Sequence, residues 1–198
     1  MKVLPIIFFT LLLVAGFGVS ISYSEAYLSG NFGAVAVNKT TVQFGSLSGD
    51  ASFKAGSVFT GAFGSDVDFH NSGRVELEFA QRFSEIDEVA PAKFDVTALS
   101  VMFNAYHDYK TNYAISPFVG LGLGIAELEA EVNYLGAVGK ADDLVFAYQV
   151  MVGVGYEVFD NLFLDAQYRF FGTGRPDFQG VKADYRTNNF LAGIRYRF

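Results

Sequence analysis

Beyond residue 26, apolar residues recur at every second position in segments of about ten residues, separated by turn-rich stretches. A side-chain period of two belongs to β-strands, whose successive residues point to opposite faces. In 74–82 this period puts Val75, Leu77 and Phe79 on one face and Arg74, Glu76, Glu78, Ala80 and Arg82 on the other. Segment 146–157 sets Phe146, Tyr148, Val150, Val152, Val154 and Tyr156 against Ala147, Gln149, Met151, Gly153, Gly155 and Glu157. Segment 162–171 opposes Leu162, Leu164, Ala166, Tyr168 and Phe170 to Phe163, Asp165, Gln167, Arg169 and Phe171. The last segment sets Phe190, Ala192, Ile194, Tyr196 and Phe198 against Asn189, Leu191, Gly193, Arg195 and Arg197. A soluble sandwich would hide its apolar face, but here the apolar faces carry aromatics at their ends, as strands facing lipid do between interfacial girdles.

Four weaker segments, 27–37, 57–68, 94–107 and 114–126, bring the number of expected strands to an even eight. The connections alternate in length. Long ones are expected at 38–56, 83–93, 127–144 and 172–187, and short ones at 69–73, 107–112 and Asp160-Asn161. That alternation is the pattern of extracellular loops and periplasmic turns. The expected fold is therefore all-β, an eight-stranded antiparallel up-and-down transmembrane β-barrel occupying 27–198, with both termini in the periplasm. No apolar run after residue 26 is long enough to cross as a helix.

Residues 1–26 read as a cleaved signal peptide. Lys2 supplies the positive start, Val3 to Val19 is apolar apart from Pro5 and Thr10, and Ser24-Glu25-Ala26 presents small residues for cleavage. The rest of the composition excludes other classes. Cys is absent, so no disulfide, thiolate metal site or acylated N-terminal Cys is available. A net charge of −7 argues against a nucleic-acid partner.

Several stretches carry a family likeness. They are Gly73-Arg74-Val75-Glu76-Leu77-Glu78, Ser116-Pro117-Phe118-Val119-Gly120-Leu121-Gly122-Leu123-Gly124 and Phe146-Ala147-Tyr148-Gln149. To these are added Gly153-Val154-Gly155-Tyr156, Asp160-Asn161, Asp165-Ala166-Gln167-Tyr168-Arg169-Phe170 and the terminal Tyr196-Arg197-Phe198. From about residue 57 on, the chain resembles the small outer-membrane barrels of the opacity-protein and OmpA-like surface antigen superfamily. The resemblance implies a Gram-negative cell outer membrane, lipid and lipopolysaccharide as surroundings, and a host or surface ligand at the outer loops. It also implies handling by the barrel-assembly machinery through a C-terminal signal carried by Gly193, Ile194, Tyr196 and Phe198. The chain departs from the pattern in stopping at Phe198, without a peptidoglycan-binding domain, and in placing Leu191 where that signal more often has a polar residue.

Eight strands enclose a space that side chains can fill, whereas the lumen of a large porin is an aqueous channel. Glu76, Glu78, Arg82, Asp165, Arg169 and Arg195 fall on the inward faces, with Arg74, Glu157 and Arg197 nearer the periplasmic rim. Buried charges need partners, so Glu76, Glu78 and Asp165 are expected to pair with Arg169 and Arg195 across the lumen. The leading functional expectation is a surface-exposed structural or adhesion barrel acting through its loops. A small porin-like pore for ions or solutes is the alternative, and a lipid A-modifying enzyme a lesser one. No catalytic site is expected, because the two histidines, His70 and His107, fall in periplasmic turns and neither sits beside a strand Ser. No cofactor is expected either: Gly120-Leu121-Gly122-Leu123-Gly124 lacks the GxGxxG spacing and context of a dinucleotide fingerprint. Nor is a metal site. The acidic groups at Glu85, Asp87 and Glu88, and at Glu127, Glu129, Glu131, Asp142 and Asp143, lack EF-hand spacing and read as solvated loops.

If the terminus carries the assembly signal, deleting Phe198 or changing it to Ser lowers the amount of heat-modifiable barrel in the outer membrane. Undiminished insertion of the truncated chain would refute that role.

Overall fold

In a computed structural model, the structure describes residues 25–37, 40–44, 47–51, 55–67, 72–85, 92–134, 137–178, 181–183 and 185–198. Among the described residues twelve strands are formed. They are β1 (Ala26–Val37), β2 (Thr40–Phe44), β3 (Leu47–Ala51), β4 (Gly56–Val67), β5 (Gly73–Glu85), β6 (Ala92–Asp108), β7 (Ile115–Tyr134), β8 (Ala137–Phe159), β9 (Leu162–Thr173), β10 (Asp177–Phe178), β11 (Val181–Ala183) and β12 (Arg186–Arg197). Eight of them close a barrel in the order β1-β12-β9-β8-β7-β6-β5-β4, every neighbouring pair antiparallel. Strand β1 makes the closure, pairing with β12 from Tyr27↔Arg197 to Val37↔Thr187 and with β4 from Ala26↔Ser65 to Val35↔Gly56. At the other end of β12, Phe198 N donates to Ala26 O at 2.8 Å and Arg197 N to Asn161 O at 2.8 Å.

The parity of each strand matches the period-two reading. The outer wall exposes Leu28, Phe32, Phe63, Phe103, Leu121, Leu123, Phe146, Val152, Phe190 and Ile194. Its aromatics touch across strands: Phe32 and Phe59 have ring centroids 4.9 Å apart, and Tyr168 and Phe190 5.3 Å. Such contacts are the units that stabilise a sheet face. The inward row of β5 (Arg74, Glu76, Glu78, Ala80, Arg82) is buried throughout. Glu157, still in register with the buried Phe163, is exposed near the short-turn end, and the β8–β9 register shifts only beyond it, between Glu157 and Phe159, where an irregularity ends strict alternation.

The connections differ more from expectation. The segment 127–144 is no loop: β7 and β8 stay paired from Ala126↔Val145 to Tyr134↔Ala137, and β6 follows them up to Ala92↔Tyr134. Inside 38–56 and 172–187 lie β2, β3, β10 and β11, which join in a second sheet of order β10-β11-β2-β3. Alternation there is too brief for a sequence reading to resolve, and the pairing of β11 with β2 (Val181↔Phe44, Ala183↔Val42) links segments far apart in the chain. The turn expected at 107–112 begins later, since His107 and Asp108 still belong to β6. The expected signal peptide lies outside the described residues up to residue 24, and β1 starts at Ala26, the residue that expectation placed last in it. His70, Asp87 and Glu88 also lie outside the described residues.

Inward glycines make the lumen fit its contents. A Cβ on Gly122 would lie 2.1 Å from Asn104 Oδ1, one on Gly120 2.5 Å from the Tyr106 ring, and one on Gly153 2.5 Å from the Phe118 ring. On the lipid-facing wall, a Cβ on Gly61 would meet nothing within 4 Å. Gly122→Val therefore lowers stability by about 1–3 kcal/mol through overpacking, whereas Gly61→Val costs nothing or stabilises the strand. Urea-unfolding midpoints of the refolded barrels in one detergent compare the two, and equal midpoints would contradict this account of the lumen.

Candidate functional site

The barrel has two places where chemistry concentrates, the lumen and the end bearing the long hairpins. Charged and polar side chains line the lumen along its length. Near the short-turn end, Arg74 donates through Nε to Asp108 Oδ2 at 2.6 Å and through Nη2 to Oδ1 at 3.0 Å. Its guanidinium also lies 4.6 Å from the Tyr106 ring centroid. Arg195 makes the matching bidentate pair with Asp165 from adjacent strands, at 3.0 and 3.1 Å, and stacks over Phe163 at 4.5 Å. Arg197 reaches Glu25 and Asp66, each at 3.2 Å, at the rim.

Higher in the lumen Arg169 meets Glu78. Its Nη1 donates to Oε1 at 2.6 Å and Oε2 at 2.7 Å, and both side chains are about 1% exposed. Strands β5 and β9 stand opposite each other in the ring of eight, so this pair crosses the full width of the lumen. Gln149 braces it, donating to Glu78 Oε1 at 3.3 Å and to Asn104 Oδ1 at 2.7 Å. Gln167 accepts from Arg169 Nη2 at 3.3 Å and donates on to Asn31 Oδ1 at 3.3 Å.

The structure brings together two of the expected pairings and not the third. Glu76 takes no arginine. Its Oε1 accepts from Asn104 and the Tyr106 hydroxyl, both at 3.1 Å, and its Oε2 from the hydroxyls of Tyr27 at 3.2 Å and Ser29 at 3.3 Å. Four neutral donors hold this carboxylate where Arg169 or Arg195 was expected, because those two are committed to Glu78 and Asp165, and Arg74, one inward position away on β5, to Asp108. Arg82 meets no carboxylate among the described residues either. It donates through Nη1 to Ser100 Oγ at 2.9 Å and lies over the Phe171 ring at 3.8 Å. The neutral donors around Glu76 are ordinary strand residues with no motif of their own, so only their convergence in space identifies them.

At the hairpin end, β6, β7 and β8 run on as a three-stranded sheet with two unlike faces. In register across the strands, Asp95↔Glu131↔Lys140 and Thr97↔Glu129↔Asp142 lie on the face continuous with the lipid-facing wall. The next row down, Leu99↔Glu127↔Leu144, begins the change to apolar residues. Lys140 Nζ lies 2.6 Å from Glu131 Oε2 and 3.0 Å from Glu129 Oε1, and these hydrogen bonds, Glu131's first, raise its ammonium above the usual lysine range. The opposite face is mainly apolar, with Asp143 in register with Leu128 as its charged exception: Val96, Leu128 and Val145 pack with Phe171 and with Tyr185. Tyr185 closes the top of the lumen, its hydroxyl 3.4 Å from Ser84 Oγ and its ring edge-on to Phe171.

The C-terminal residues singled out in the sequence sit on one strand with split duties. Ile194, Tyr196 and Phe198 are exposed on the outer wall, and a Cβ on Gly193 would lie 2.2 Å from Asn31 Oδ1 inside. Leu191, the apolar departure, is buried against Val35 and Val58. His107 stacks edge-on against Tyr109 at 4.9 Å.

Glu78→Gln leaves a fully buried guanidinium short of its counter-charge, so the variant loses about 3–5 kcal/mol of stability, and the double variant Glu78→Met/Arg169→Met loses clearly less than Arg169→Met alone. Equilibrium unfolding in urea measures this cycle; additive losses would show that the pair is not coupled.

With this geometry established, comparison with known proteins places the chain. A family model for the outer membrane protein beta-barrel domain matches residues 9–198. Outer membrane protein PagN of Salmonella typhimurium is 27% identical over 125 residues, a match covering 54% of this chain and 52% of PagN, so the chain spans about half the length of that relative. "Putative adhesin RC1281" of Rickettsia conorii is 24% identical over 204 residues, covering 87% of this chain and 82% of that protein. Among solved structures, Neisserial surface protein A superposes with a TM-score of 0.59 at 21% identity, covering 87% of this chain and 97% of that one.

Proposed function

The chain belongs to the outer membrane protein beta-barrel domain family, and from that premise we propose that it is an adhesion barrel, contacting a surface ligand through the sheet that β6, β7 and β8 raise above the membrane. Its place is the cell outer membrane, and its hairpin end faces outward, since long connections in such barrels are extracellular and short turns periplasmic.

The observation that carries the reading is the length of two strands. Strands β7 and β8 have 20 and 23 residues. A tilted strand needs only about 9–11 to cross the hydrocarbon, so roughly ten residues of each continue outside, a ladder of some 30 Å. A scaffold rigid enough to hold side chains in register at that height suits contact with another surface. PagN is an outer membrane protein, and a second relative carries the name of an adhesin. The first fits the location and the second a role in attachment.

Binding accounts for the chain better than conduction or catalysis does. Of the lumen charges, Arg74, Arg169 and Arg195 are paired with carboxylates, and Glu76 is held by neighbouring amide and hydroxyl groups. A groove of about 720 Å³ opens on the outer wall beside Phe32, Tyr168 and Phe190. The exposed Ile194, Tyr196 and Phe198 suit recognition by the assembly machinery, and the acidic outer face of the extension lies at the height of lipopolysaccharide headgroups.

A non-adherent Gram-negative strain expressing the protein gains binding to cultured epithelial cells. Replacing residues 128–143 by a two-residue turn returns binding to the level of the empty strain, while the barrel stays heat-modifiable on gels. Full binding by a correctly assembled truncated barrel would reject the reading.

A further inference from the structure

The charged groups buried in the lumen are Arg74, Glu76, Glu78, Arg82, Asp165, Arg169 and Arg195. Arg74, Arg169 and Arg195 each have a carboxylate at 2.6–3.0 Å, in Asp108, Glu78 and Asp165. Glu76 has no cation in contact but is saturated by four hydrogen-bond donors. Arg82 is the one of these groups that has neither a counter-charge in contact nor a full set of hydrogen-bond partners among the described residues. It is 0% exposed, and Ser100 Oγ is the one acceptor it meets among the described residues. Its Nε and Nη2 are buried with no acceptor, and so is Nε of Arg169.

A buried guanidinium in this condition is costly twice over, in unmade hydrogen bonds and in uncompensated charge. The second cost is the larger one here, because the neighbouring Arg169 repels Arg82, while Glu78, the carboxylate that could answer both, is bound through both oxygens to Arg169. Water would supply acceptors without supplying charge. A cation packed on an aromatic face gains part of the deficit, and Phe171 at 3.8 Å offers that on one side. The in-plane N–H groups of Nε and Nη2 are still without an acceptor.

We propose that Arg82, with Ser100, holds a small monovalent anion of the halide class in the upper lumen. One negative charge balances the local excess of one cation, and a small ion suits a site beside Phe171 and Ala98, both buried. The site lies just beneath Ser84 and Tyr185, so the ion enters from the extracellular end, past the contact between those two hydroxyls. Tyr185 precedes β12 and follows the segment containing β10 and β11, so the site couples the top of the plug to an extracellular connection.

The refolded wild-type barrel tests this with chloride and bromide as probes, against gluconate, which is too large for the site. At constant ionic strength, exchanging gluconate for chloride at about ten times its dissociation constant raises the folding equilibrium constant roughly ten-fold. Arg82→Gln, which removes the leftover charge, abolishes the response, and Ser100→Ala weakens it. Crystals of the wild-type protein grown in bromide show an anomalous peak beside the Arg82 guanidinium. Equal chloride responses in wild type and Arg82→Gln would overturn the proposal. So would a bromide map with no peak at Arg82, a result that decides the matter even if the variant does not fold.

Discussion

A strand in hydrocarbon has no water to satisfy its N–H and C=O groups, and this requirement governs everything else in the molecule. Strand β1 meets it by pairing on both sides, with β12 and with β4, so the sheet has no edge within the barrel. Closure of eight strands then sets the diameter, and the diameter sets what the inside can be. The inward glycines belong to the same constraint. Tyr106, Phe118 and the Asn104–Gln149 pair occupy the volume that side chains on Gly120, Gly153 and Gly122 would need.

An interior of charged residues is not the most stable filling such a barrel could have, since well-packed apolar groups often match or exceed a buried ion pair. Its value lies in register. A slip of one residue in any strand exchanges the two faces. For β5 that would send Arg74, Glu76, Glu78 and Arg82 into lipid, and Val75, Leu77 and Phe79 into the lumen. The Arg169–Glu78 pair reinforces this by tying opposite walls together at a single point. The polar lumen thus acts as a device for choosing one arrangement among many near neighbours.

Outside the membrane the same alternation is put to another use. Strands β6, β7 and β8 keep their register above the barrel, but their outer face turns from Leu99, Leu144 and Phe146 to Asp95, Glu129, Glu131 and Asp142. Directly opposed like charges, as in Asp95↔Glu131 and Glu129↔Asp142, weaken a ladder. Lys140 between Glu129 and Glu131 offsets part of that, and the packing of Val96, Leu128 and Val145 with Tyr185 on the inner face offsets more. The projection therefore stands by its apolar side and presents its acidic side, an arrangement suited to contact.

Much of this was legible in the residues because the period of two is local: each residue's face follows from its neighbours along the strand. Val75 against Glu76, or Tyr196 against Arg195, could be assigned to lipid or lumen from the chain alone, and so could the eight barrel strands. Which inward charge meets which was not legible, since it depends on how far each strand is staggered around the barrel. The stagger brings Arg169 to Glu78 across the lumen, gathers Tyr27, Ser29, Asn104 and Tyr106 on Glu76, and leaves Arg82 with Ser100. The pairing of β2 with β11, and the growth of 127–144 into paired strand, were hidden for the same reason. Sequence alone determined the two faces of β5, β8, β9 and β12, since that is a property of one strand. Tertiary structure decided the partners and the height of the hairpins, because those come into being only when distant strands are fixed side by side.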